Sequence, residues 1–232
     1  MFFIFSSNEI ENEFVRSYFG SWVDQIDQIL QETRGKKKFE LKAFWKDELS
    51  EKLPEWDWAG QGAYRWVLSP NDSYVVKFAQ PGSTNEEGKK LNRLESQKQS
   101  EFEGLFPKVF FHHPNWEWIV VEKVTPLMPS DLESMFSIDK DFAFHFGKFI
   151  GYHVAKEKGT SEATISRRRE DLNRTIGEGW IEGYNKLKSN PIFIRLADIA
   201  MKLNLWSWDL SWGNLGRNDK DELVILDSSF DI

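Results

Sequence analysis

Three polar residues near the C-terminus have the types and spacing for phosphate chemistry. Asp209 is followed five residues on by Asn214 and thirteen further on by Asp227, which closes the apolar run Leu223-Val224-Ile225-Leu226. A loop acid, a loop amide and an acid at the end of a strand can cradle a metal-bound phosphate. Magnesium takes oxygen ligands, few of them from protein, and shares the rest with water and substrate phosphates. Asp209 would then orient or deprotonate an attacking hydroxyl. Asp, Asn and Gly also gather in ordinary turns, where their side chains bond local backbone. The spacing alone therefore leaves both readings open, and the upstream residues must decide.

Upstream, Gly60 and Gly62 lie in the run Gly60-Gln61-Gly62-Ala63-Tyr64-Arg65-Trp66-Val67-Leu68. The turn Ser69-Pro70-Asn71-Asp72-Ser73 leads from it into Tyr74-Val75-Val76-Lys77-Phe78. That pattern predicts a β-hairpin with glycines in its first strand and Lys77 in its second. Lys77 either faces solvent, opposite its apolar neighbours, or lies under the glycines and grips phosphate oxygens. Glu87, four residues before Leu91, sits on the inward stripe of the next helix and is the expected partner of Lys77; Glu86 is the alternative. The exit from the sheet at Glu122 to Val124 can offer backbone groups to an adenine edge. His112-His113 form a turn with no third metal ligand nearby and are expected to be loop residues.

The remaining elements position these residues. Ile10, Phe14, Tyr18, Trp22, Ile26 and Leu30 recur every three or four positions and predict an amphipathic helix ending near Gly35. A shorter helix over 39–49 stops before Pro54. This helical extension, 1–55, carries no chemical motif, and its apolar stripe must rest on the following domain or on a second copy of the chain, which leaves a homodimer open. Residues 56–125 read as strands plus one helix, and 126–232 as helices over 130–137, 142–159, 161–187 and 191–203 leading into Asp209. The 232 residues carry a net charge of −7 and no cysteine. The negative charge argues against non-specific nucleic-acid binding. Lack of cysteine excludes disulfides and thiolate chemistry and fits a cytoplasmic setting. The apolar opening Met1 to Phe5 is too short for a signal peptide or membrane span.

Taken together, Gly60 to Val67, Lys77, Glu87, the sheet exit, the helices, Asp209-x4-Asn214 and Asp227 resemble the protein kinase superfamily, whose parts come in this order. The resemblance covers about three quarters of the chain. It implies an α+β, two-lobed protein-kinase-like fold: an antiparallel N-lobe sheet with an αC-like helix, and a reduced, mostly helical C-lobe. It further implies ATP held by Gly60, Gly62, Val67, Lys77, Glu87, Glu122 and Val124, Mg²⁺ held by Asn214 and Asp227, and Asp209 as catalytic base. Arg65 stands where the third glycine would be, and Ser207 and Trp208 replace the usual histidine and arginine before the base. Ser211 replaces a lysine, and Ser228-Ser229 the Phe-Gly after the metal-binding aspartate. Five residues follow Asp227, fewer than an activation segment needs. That compactness is similar to the small serine/threonine kinases encoded by bacteriophages, and implies transfer to Ser or Thr of a protein, such as a host protein, in the host cytoplasm. A pseudokinase that binds nucleotide or a partner, and a small-molecule kinase of the aminoglycoside or choline type with its acceptor pocket built by 159–190, are the alternatives.

Overall fold

A computed structural model describes residues 22, 24–102, 104–205, 210–218 and 220–226. The chain forms two compact units, Met1–Glu101 with Lys108–Lys123, and Phe102–Pro107 with Val124–Ile232. The α+β class expected from the sequence is the one observed.

The first unit is built on a five-stranded antiparallel sheet: β1 (Asp57–Gln61), β2 (Arg65–Ser69), β3 (Tyr74–Ala79), β4 (Val109–His112) and β5 (Trp118–Glu122), in the order β1-β2-β3-β5-β4. Its strands are rich in Val, Trp and Phe, which suit a pleated surface covered on both sides. One face carries Trp66, Leu68, Val76, Phe78, Trp118 and Val120, and helices α1 (24–33) and α2 (38–52) pack on it through Ile26, Ile29, Leu41, Phe44, Trp45 and Leu49. Gly35, at φ +86°, makes the left-handed turn that separates the two helices. The described part of the extension's apolar stripe thus rests on this chain's own sheet and shares one core with its strands.

The opposite face receives α3 (Asn85–Glu101), which follows β3 through a glycine-containing turn. The helix comes down closely at Gly88, where a Cβ would lie 2.6 Å from the Tyr64 carbonyl oxygen and 2.8 Å from Ala79 Cα. Small residues on both elements, Gly88 and Ala79, make that approach possible.

The second unit holds α4 (Pro129–Phe136), α5 (Lys140–Phe144), α6 (Phe146–Glu157), α7 (Glu162–Ile176), α8 (Trp180–Leu187) and α9 (Pro191–Leu203). It also holds a small antiparallel sheet of β6 (Thr125–Pro126), β7 (Leu215–Arg217) and β8 (Leu223–Ile225). Two helices expected as single pieces are broken. His145, at φ −105° and ψ 17°, separates α5 from α6, and Gly177, at φ +81°, ends α7 before α8 begins. Asn190 starts α9 by accepting hydrogen bonds from the Ile192 and Phe193 amides. No helix of the described residues is long and apolar enough to cross a membrane.

Candidate functional site

The glycine stretch is a hairpin tip rather than one continuous strand. Strands β1 and β2 flank Gly62-Ala63-Tyr64, and the Gly62 amide donates to the Arg65 carbonyl at 2.8 Å. Every carbonyl from Gly62 to Arg65 is engaged. Gln80, fully buried at the end of β3, donates from Nε2 to Gly62 O at 2.8 Å and to Arg65 O at 3.2 Å, while its backbone amide donates to Tyr64 O at 2.9 Å. Lys38 Nζ of α2 donates to Ala63 O at 3.2 Å, and Gln61 Nε2 donates back to Lys38 O at 2.9 Å. The tip is therefore tied to the strand below it and to the helical extension behind it.

Gly60 differs from the packing glycines. A Cβ there would meet nothing within 4 Å, whereas at Gly88 it would collide with backbone. No neighbouring group requires glycine at position 60, so the open space above it suits close approach of a ligand to the main chain. Strand register puts Gly60 opposite Val67, Val67 opposite Lys77 and Lys77 opposite Ile119. Directly paired residues share a face, so Gly60, Val67 and Lys77 form one row on the face that also carries α3.

Lys77 is buried, only 7% exposed, and the solvent-facing alternative is excluded. Its Nζ donates to Glu95 Oε1 of α3 at 2.5 Å. The partner is thus Glu95, not Glu87 or Glu86. Those two acids sit in the first turn of α3, while Glu95 lies two turns further along, where the helix passes beside β3. Glu86 is exposed and pairs with Lys89 at 3.0 Å. Glu87 is half-buried, and its Oε2 has no hydrogen-bond partner.

Sequence reasoning also missed a second cation on Glu95. Arg65 is 5% exposed, and its guanidinium donates to Glu95 Oε2 at 2.5 Å and to Asn92 Oδ1 at 3.4 Å. Asn92, fully buried, in turn donates to the Trp116 carbonyl at 2.8 Å. The readable signal was the position of Arg65 itself: a charge inside a strand of Trp, Val and Leu requires a buried partner.

At the sheet exit, Glu122 is registered opposite Tyr74, on the face that carries α1 and α2, and its carboxylate accepts the Lys108 amide at 3.2 Å. The amides of Glu122 and Lys123 are spent on Lys108 O and Ser73 O. Val124 opens the second unit and is partly exposed. His112 is a strand residue, not a loop residue: it ends β4, is buried, and stacks on Trp116 with ring centroids 3.6 Å apart. His113 does lie in the turn, and burial holds both imidazoles below the usual histidine range.

In the second unit, Asn214 ends a 3₁₀ turn (Trp212–Asn214) directly before β7. Its carbonyl accepts the Leu226 amide at 2.8 Å, so β7–β8 pairing sets Asn214 beside the residue that precedes Asp227 in sequence. Asp209 and Asp227 themselves, with Ser207, Trp208, Ser228 and Ser229, lie outside the described residues. The amide oxygen of Asn214 is a hard donor of the kind Mg²⁺ takes. Among the described residues no group of three His, Cys, Asp or Glu can hold a metal.

No protein-family model matches the sequence, and no curated protein does. Among solved structures, the chain is similar to APH(2″)-IIa in a ternary complex with streptomycin and ATP, at 12% identity and a TM-score of 0.33, over 78% of this chain and 68% of that one. It is also similar to wild-type aminoglycoside 2′-phosphotransferase-IIIa in its GDP complex, at 11% identity and a TM-score of 0.33, over 84% of this chain and 74% of that one.

Proposed function

We propose that the chain binds a nucleotide and transfers its terminal phosphoryl group to a hydroxyl. The observation that carries this reading is Lys77, buried beside Val67 and Gly60 and oriented by a carboxylate from a helix. A lysine needs such a rigid, buried setting to present its ammonium to phosphate, and phosphoryl transfer is largely positioning and charge stabilisation. In this reading Gly60 admits the phosphates to the main chain, Val67 lines the base, and Lys77 binds phosphate oxygens. Asn214 and Asp227 would hold Mg²⁺, which would supply positive charge to the phosphates. Asp209 receives the proton of the attacking hydroxyl.

For the acceptor, a hydroxylated small molecule is the preferred reading. Its support is the pair of helices α7 and α8, which occupy 162–187, the segment able to build an acceptor pocket. A protein serine or threonine, as in the bacteriophage kinases that the sequence resembles, is the second reading. It rests on the order of the motifs alone. A nucleotide-binding scaffold without turnover is the rival from another class.

The test incubates purified protein with γ-labelled ATP and Mg²⁺ against two panels, hydroxylated amines and sugars in one and lysate proteins in the other. Asp209→Ala and Asp227→Ala serve as controls. Label reaching the first panel only from wild type supports the preferred reading, and label reaching only protein supports the second. Equal label from all three proteins refutes transfer.

A further inference from the structure

We infer that Arg65 is a positioning residue for the nucleotide site: it holds Glu95 from the side opposite Lys77 and so fixes where the Lys77 ammonium stands. The inference rests on the reading of Lys77 as a phosphate ligand. Its basis is the division of one carboxylate between two strands. Glu95 gives Oε1 to Lys77 of β3 and Oε2 to Arg65 of β2, each at 2.5 Å, and all three side chains are less than 10% exposed. A carboxylate that receives only a lysine can rotate or withdraw with its helix, because an ammonium is a point charge on a flexible stem. A planar guanidinium on the second oxygen removes that freedom. Arg65 is itself oriented, since Asn92 Oδ1 accepts from the same guanidinium nitrogen and Asn92 is anchored to Trp116 O. The chain of contacts from Trp116 through Asn92, Arg65 and Glu95 to Lys77 joins the turn before β5, helix α3, β2 and β3.

Space for this arrangement is built in. Arg65 is paired in register with Ala79, whose small side chain lies under Gly88 of α3. The same face two residues on carries Val67 beside Lys77. Arg65 thus lies one step from the nucleotide row yet is directed to the helix, which makes it a support of Glu95 rather than a phosphate ligand. The device also holds α3 in the position that pairs Glu95 with Lys77.

A double-mutant cycle on nucleotide affinity tests the inference. Calorimetric titration of Mg-ATP into wild type, R65M, E95Q and R65M/E95Q is accompanied by melting curves, so that affinity is read only on folded protein. A residue that acts through Glu95 gives non-additive losses. R65M is expected to weaken Mg-ATP about tenfold, with the double variant no weaker than E95Q, and R65K to fall between R65M and wild type because it keeps the charge but loses the planar guanidinium that Glu95 and Asn92 share. Wild-type affinity in R65M, or losses that add in the double variant, overturns the inference while leaving the nucleotide reading intact. Absence of binding by wild type overturns both. If R65M does not fold, R65K takes its place in the cycle, and the same two outcomes decide.

Discussion

Replacing Glu95 by alanine removes the one carboxylate that both Arg65 and Lys77 are shown to share. The loss can be sized from the burial of the three groups. Arg65, Lys77 and Glu95 side chains are 5%, 9% and 4% exposed, so water cannot take over the role of the lost oxygens. Removing one partner from a buried ion pair costs about 3–5 kcal/mol, mostly from the charge left behind. For a chain of this size about 4 kcal/mol corresponds to a melting shift of about 8–16 °C. E95Q keeps the shape and one acceptor, so about half that loss is expected. Thermal unfolding followed by circular dichroism, at neutral pH and at low and high salt, measures both. High salt should change little, since screening acts weakly on buried pairs. An E95A protein that melts within about 2 °C of wild type would refute the argument. So would a triple replacement, R65M/K77M/E95L, that is less stable than E95A, because apolar residues of similar volume should restore much of the loss.

Three further outcomes follow, two from the glycines and one from the histidines. Gly88→Ala gains about 1 kcal/mol of helix propensity, but its Cβ would stand 2.6 Å from Tyr64 O and 2.8 Å from Ala79 Cα. A net destabilisation of about 1–3 kcal/mol is expected from overpacking against backbone. Gly60→Ala, with no atom within 4 Å of its Cβ, should stay within about 0.5 kcal/mol of wild type in a denaturant melt while weakening Mg-ATP. Burial lowers the pKa of all four imidazoles, His112, His113, His145 and His153. Below the unfolded value near 6.5 the unfolded chain therefore binds protons that the folded chain does not. Stability should fall as pH drops from 7 to 5, and a melting temperature that rises over that window would contradict the assignment.

Which parts of this arrangement can be read from sequence depends on how local their cause is. The strand Tyr74 to Ala79 and helix α9 announce themselves, the first through a β-rich run after a turn and the second through Asn190-Pro191 and its apolar period. Lys77 is readable as a candidate because a charge in such a strand is unusual. Its partner is not, because Glu86, Glu87 and Glu95 all lie on one helix. Which of them meets β3 depends on how far α3 slides before it crosses, and Gly88 and Ala79 set that distance. Arg65 shows the same limit: as a missing glycine it looks like a defect, and only its burial against Glu95 and Asn92 gives it a role. The helical extension carries no motif, and its apolar stripe alone does not say whether it covers the following strands or a second copy; Trp45, Leu49 and Ile29 fill the core with Trp66 and Phe78. The readable half of the candidate site is therefore the residue types and their order, and the unreadable half is the crossing geometry.

The hairpin tip from Gly62 to Arg65, with each carbonyl already bonded to Gln80, Lys38 or Gly62, has a thermodynamic consequence. A loop that must settle onto its ligand loses backbone freedom on binding, at about 1–2 kcal/mol per residue fixed. Here that freedom is surrendered during folding of the first unit. Under the proposed function, nucleotide association at this tip should therefore carry a small conformational-entropy penalty, and slow loop closure should not limit its rate.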